Sequence, residues 1–159
     1  MKVLTIKEPY ASAIRAGLKH IETRSWKTNY RGEVIIHASK TSLPNERAEY
    51  ILSKHYVPTR CGVFHCKARL VDCVYIDKAF LKKILNPENC LEYNLGFYEE
   101  GRYAWILEDI EPFDINAQEV IKGHLGIWNY FVDLSDITVE KGDVYVKYSV
   151  YDRITENKK

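Results

Sequence analysis

From Phe64 to Leu70 the chain alternates without a break: Phe64, Cys66, Ala68 and Leu70 interleave with His65, Lys67 and Arg69. Successive side chains of a strand point to opposite faces, so this spacing predicts a strand with one face on a core and a polar face outward. The pattern extends over 63–76 and confines the chain to a sheet that is wet on one side. Shorter segments repeat it. Lys2 to Ile6, His20 to Trp26, Glu33 to Ala38 and Tyr103 to Ile110 read as strands. Two more are expected near Asp136 to Val139 and Val144 to Tyr151, around a Lys141-Gly142-Asp143 turn.

Short helices separate them. Pro9 sets a first helical turn, with Ala11, Ile14 and Leu18 on one face and Gly17 as the closing residue. A second helix follows Pro44 through Ala48, Ile51 and Leu52, and a third runs from an Asp77 cap through Phe80, Leu81 and Ile84 to the Asn86-Pro87 stop. Asn116 with Glu119 has the form of a capping box and predicts a short helix as far as Lys122. Glu88 to Arg102 reads as irregular or weakly helical. Without a regular strand–helix–strand rhythm, the class is α+β: a small mixed or antiparallel β-barrel decorated with short helices.

With 159 residues, one domain over 1–153 and a polar tail at 154–159 are expected. No apolar run has membrane-spanning length and the start is too soon interrupted by charge for a signal peptide, so a cytoplasmic location with four reduced cysteines is expected and no membrane partner. Charge is unevenly placed: residues 1–40 carry eight Lys/Arg against three Asp/Glu, whereas 87–159 carry seven against fifteen. A basic first half suits an anionic ligand, although folding can also mix the charges evenly.

The strongest site candidate is the face of the His20–Trp26 strand that carries Glu22, Arg24 and Trp26. Arg presents a planar fork to a phosphate or base edge, and Trp a stacking surface. Lys19 precedes this strand; strict alternation turns it away, but strand starts often break alternation. The structural alternative is a Glu22–Arg24 ion pair with Trp26 covering core. Arg31 before a glycine turn and Lys40 are further candidate ligand groups, while His37 reads as a hydrogen-bonded core histidine and Trp105 and Trp128 as core aromatics. Cys61, His65, Cys66 and Cys73 lack the paired C-x-x-C spacing of a zinc site, and no Gly-rich phosphate loop or nucleophile motif occurs, so no metal or other cofactor is expected.

Several motifs together resemble a known family. They are E-P-Y-A (Glu8 to Ala11), G-x-K-x-x-E-x-R-x-W (Gly17 to Trp26), Y-R-G-x-x-x-I-H-A (Tyr30 to Ala38), Y-A-W (Tyr103 to Trp105) and G-x-x-G-x-W (Gly123 to Trp128). The chain resembles an ASCH (activating signal cointegrator homology) domain, a branch of the PUA-like β-barrels. The resemblance implies that Gly17, Lys19, Glu22 and Arg24 lie at a cleft between barrel and first helix. It also implies binding of RNA or another nucleic acid through that basic cleft, with Lys19, Glu22, Arg24, Trp26, Arg31 and Lys40 as contacts. Some relatives are hydrolases of acylated pyrimidine nucleosides and others ribonucleases. In that alternative the ligand is a nucleoside-like molecule, and Lys19 and Glu22 form the catalytic pair. The small acyl-cytidine hydrolases carry Thr where this chain has Glu22, which argues against efficient turnover here. A protein-interaction module using the acidic half is a third reading.

Overall fold

The structure is a computed structural model and describes residues 1–116 and 118–130. The strands expected near Asp136 to Val139 and Val144 to Tyr151, their turn and the polar tail lie outside the described residues. Among the described residues six strands form one sheet: β1 (Lys2–Glu8), β2 (Ile21–Arg24), β3 (Gly32–Ser42), β4 (Phe64–Tyr75), β5 (Tyr103–Pro112) and β6 (Ile127–Asn129). Their order is β2-β5-β4-β3-β1-β6, with β1 parallel to β3 and the other pairs antiparallel. The helices described beside it are α1 (Tyr10–Arg15), α2 (Glu46–Lys54), α3 (Lys78–Ile84) and α4 (Cys90–Asn94), the last after a 3-10 turn at Pro87–Asn89.

The class is therefore α+β with a mixed sheet. Among the described residues the sheet is open: no backbone ladder joins β2 to the β1–β6 edge. The two ends nevertheless approach: the Arg24 guanidinium of β2 donates from Nη2 to the Thr5 carbonyl of β1 over 2.9 Å.

α1 sits where sheet and helices meet. Ala11 and Ile14 join a core made of Leu4, Ile6, Val34, Ile36, Ala68, Leu70, Trp105 and Leu107. Ala13, on its other side, packs with Ala48 and Leu52 of α2 and with Leu95 just after α4. The helix ends as expected at Gly17, whose φ of +76° is the left-handed conformation that a Cβ disfavours. Gly17 N donates to Ile14 O and Leu18 N to Ala13 O, a Schellman closure that reverses the chain toward β2.

The start of α1 has no side-chain cap from Pro9. Glu8 supplies it instead. Its buried carboxylate accepts from Ser12 N at 3.2 Å and Ser12 Oγ at 2.7 Å, and Nε2 of buried His65 lies 3.1 Å from it. His65 reaches this place because β4 bulges: Ile36 pairs with Cys66 but His37 with Phe64, leaving His65 as the extra residue. This corrects the simple alternation. His65 is fully buried rather than outward, and Phe64 joins a second cluster with Val3, Ile35 and Phe113 instead of following Cys66, Ala68 and Leu70. Lys67 is also buried, its amine 3.1 Å from Glu111 and 3.6 Å from Glu33, so of the three polar positions only Arg69 faces solvent.

The helix expected from Asn116 to Lys122 does not form: residues 118–122 carry no regular secondary structure. Tertiary hydrogen bonds override the local capping pattern. Ile121 N donates to Gly62 O, and Ile121 O is 3.2 Å from His37 Nε2. The Gln118 amide lies against Phe64, accepting from its N–H at 2.8 Å and donating to its carbonyl at 2.7 Å. The same path leads into β6, an unanticipated strand whose Trp128 Nε1 donates to Thr5 Oγ1 over 2.9 Å.

Removing the Glu8 carboxylate takes the buried acceptor from Ser12 N and Oγ and leaves His65 Nε2 only the Arg60 carbonyl, 2.8 Å away. Glu8→Ala is expected to cost about 2–4 kcal/mol, and Glu8→Gln less, in urea unfolding at neutral pH. A loss below about 0.5 kcal/mol for Glu8→Ala would remove the anchoring role given to this residue.

Candidate functional site

A cleft of about 490 Å³ opens between the β2 edge, the end of β1 and the segment 124–126. It occupies the gap where the sheet fails to close. Volumes of this order suit a nucleoside-sized molecule. Lys19, Glu22, Arg24 and Trp26 all line it.

Lys19 lies at its base, with no exposed surface. The Schellman turn puts it there: Lys19 N donates to Ala13 O, and β2 begins only at Ile21, so strand alternation does not govern Lys19. Its ammonium donates to the Ile21 carbonyl and stands 5.5 Å from the centroid of the Tyr10 ring. Burial lowers its pKa from the ordinary lysine value; the nearby Glu22 and Glu92 charges oppose that shift, and Arg24 reinforces it. Close backbone approach keeps the space small. A Cβ on Gly96 would stand 2.7 Å from the Tyr98 ring and 3.2 Å from the Lys19 amine.

Glu22 and Arg24 point the same way along β2. Glu22 Oε2 is 3.4 Å from Arg24 Nη2, and Oε1 accepts from Thr23 N at 3.2 Å. The ion pair anticipated as the structural alternative is thus present, at the cleft wall and partly exposed. Arg102 adds a third cation. Its Nη2 donates to Thr23 O at 3.1 Å and its guanidinium lies 5.0 Å from the Phe97 ring centroid. Both Arg24 and Arg102 keep a buried Nε–H with no acceptor among the described residues. Glu92 is spent elsewhere, accepting from His20 N and Ile21 N at 2.8–3.0 Å. Beside it Tyr98 stays a phenol, since burial and the carboxylates of Glu92 and Glu22 raise its pKa.

The rim is apolar. Trp26 (41% exposed), Leu43, Phe97 (58%) and Leu125 (99%) surround the charged floor. Trp26 covers core on one side and lines the opening on the other: it meets Trp105 edge-on at 4.6 Å, and Trp105 Nε1 donates to its carbonyl. Trp105 is the core residue of the pair.

Two expected residues are elsewhere. Arg31 does not line the cleft; it lies 3.5 Å from Asp72 and donates to Thr28 O and Tyr30 O, so it braces its own turn. Lys40 borders a neighbouring groove. His37 is the buried, hydrogen-bonded histidine expected, 3.2 Å from Thr5 Oγ1, and burial lowers its pKa. Sequence reasoning missed Tyr10, Phe97, Arg102, Leu125 and Thr23. Alternation assigns Thr23 to the opposite face, yet it borders the cleft, with its hydroxyl donating to Phe97 O over 2.7 Å. Phe97 and Arg102 belong to the insertion after β4, which carried no site motif.

The Lys19 shift sets a sign. Its folded pKa lies below the ordinary 10.5, so between the two values the unfolded chain binds a proton that the folded chain does not, and stability rises with pH. Urea unfolding from pH 8 to 10.5 should show this rise relative to Lys19→Met, and the Nζ resonance should titrate with a midpoint below 10.5. A midpoint at or above the ordinary value contradicts the burial argument.

The ASCH domain model matches residues 4–122. No curated protein matches the chain. Among solved structures it is similar to a tyrosine-to-phenylalanine variant of the ASCH protein of Zymomonas mobilis, with 16% identity, a TM-score of 0.42 and coverage of 72% of this chain and 73% of that one. With the family model spanning the sheet from β1 to β5, α1 and the strand that carries Glu22 and Arg24, this chain belongs to the ASCH domain family.

Proposed function

We propose that this ASCH domain binds single-stranded RNA by seating one unstacked base in the cleft between the sheet edge and α1. The carrying observation is the combination of a charged floor and an aromatic rim in one nucleoside-sized space. Lys19 and Arg24 can donate to base acceptors, Glu22 can accept from an amino group, and Trp26 and Phe97 offer rings at the opening. A base leaving a single strand has both faces and its pairing edge free, which this arrangement can satisfy at once. The family is generally linked to RNA binding, in accord with this reading. In the same reading the gap bridged by Arg24 is the seam of a PUA-like barrel, kept open as the binding site.

Fluorescence anisotropy with short single-stranded RNA tests it. Affinity should fall with salt, with a log–log slope of roughly 0.7 per phosphate contacted. Trp26→Ala should lose about 1–3 kcal/mol of binding, as a base-stacking ring does. Arg24→Ala should lose a similar amount, and Arg31→Ala almost nothing because it lies outside the cleft. Absence of binding to RNA at low salt, or equal losses for Arg24 and Arg31, would overturn the proposal.

A second reading rests on one observation, the buried Lys19 amine of lowered pKa with the Glu22 charge nearby, a pairing able to activate water against an acylated cytidine. The Thr23 hydroxyl is committed to Phe97 O and is no free nucleophile. We expect purified protein to leave N4-acetylcytidine largely intact under conditions where chromatography resolves released cytidine. Rapid turnover that disappears in Lys19→Ala would install the hydrolase reading instead.

A further inference from the structure

We infer that the groove adjoining the cleft is a phosphate subsite, so that the ligand is a nucleotide carrying a phosphate on its ribose, as a chain residue or a free monophosphate, and not a bare nucleoside. The inference rests on the reading of the cleft as a base site. Groove and cleft are continuous: Thr5, Ser39, His124 and Leu125 line both, and the groove adds about 630 Å³. A ligand whose base fills the cleft therefore has its sugar and phosphate directed along this groove or out to solvent.

Charge separates the two spaces. Inside the cleft, Lys19 is held by Ile21 O and Arg24 by Thr5 O and Glu22, and the Glu22 carboxylate repels a second anion. The groove carries Lys40 and Lys122, both exposed, and neither has a carboxylate within 4.0 Å among the described residues. Among the described residues no acidic one lines it. A base with its pairing edge suits the first space, and a phosphate the second.

Both lysines also spring from fixed backbone. Lys40 belongs to β3. Lys122 follows Ile121, which is tied through its N–H to Gly62 O and through its carbonyl to His37. His124, which also lines the groove, makes an edge-on contact with Trp128, 4.8 Å between centroids. Two ammonium groups anchored on two separate chain segments flank one channel, so a phosphate held between them orders less backbone on binding.

The test is titration of the four ribonucleosides and their 5′- and 3′-monophosphates into the full chain, followed through the Trp26 indole resonance. Wild type is compared with Lys40→Glu, Lys122→Glu and the double variant. In low salt, one monophosphate of the preferred nucleoside should bind about fivefold or more tightly than the nucleoside itself. That gain should vanish in the double variant and at high salt, while nucleoside affinity stays within about twofold because neither lysine touches the cleft. Equal affinity for nucleoside and both monophosphates overturns the subsite. A gain that survives the double variant overturns it too, since the phosphate then lies elsewhere. Failure of every nucleoside and monophosphate to bind overturns the base site itself, and the groove falls with it.

Discussion

The buried carboxylate of Glu8 is the contact on which the geometry of this domain depends. It ends β1, caps α1 through Ser12 and meets His65 at the bulge of β4. Three elements that are distant in sequence are thereby referred to one pair of oxygens. The orientation of α1 follows, and with it the positions of Tyr10 and of the turn that buries Lys19. A buried charge is tolerated here because hydrogen-bond donors surround it; without them, burial alone would be prohibitive. The E-P-Y-A motif is thus a positioning device for the cleft, although Glu8 itself does not line it.

The cleft is in turn a property of incomplete closure. A fully laddered seam between β2 and β1 would occupy the space with backbone hydrogen bonds. Instead the Arg24 side chain spans it, one donor replacing a row of them. A side-chain bridge leaves room on either side, and the segment 124–126 forms the opposite wall without pairing with β2. Candidate site and fold irregularity have the same origin.

Local chemistry made much of this legible. Asp77 accepts from Phe80 N as a helix cap, Gly17 adopts its left-handed turn, and β2 carries Glu22 and Arg24 to a common wall. Each of these depends on neighbours within a few residues. What escaped depends on partners far along the chain. The bulge at His65 answers to Glu8, the lost helix at 118–122 answers to Gly62 and His37, and Arg31 is claimed by Asp72. Alternation gives a side chain a face but not a covering, so it could not foresee that Lys67 would be enclosed by Glu33 and Glu111. The insertion after β4 was opaque for a related reason: Phe97 and Arg102 become site residues only because the fold returns them to β2.

Gln118 shows how far such a distant partner can be replaced. Its primary amide offers Phe64 one acceptor and one donor, as the C=O and N–H of one facing residue on a neighbouring antiparallel strand would. A single side chain thus acts as a one-residue strand at the place where the β4 bulge disturbs regular pairing. Such mimicry has no conservative substitute. Glutamate would set an oxygen against the Phe64 carbonyl, asparagine would be a methylene short, and an apolar residue would leave two buried peptide groups dry. An ordinary-looking glutamine in an irregular segment is therefore among the least exchangeable letters in the chain, and it is the rigidity of the path toward Lys122 and His124 that its amide preserves.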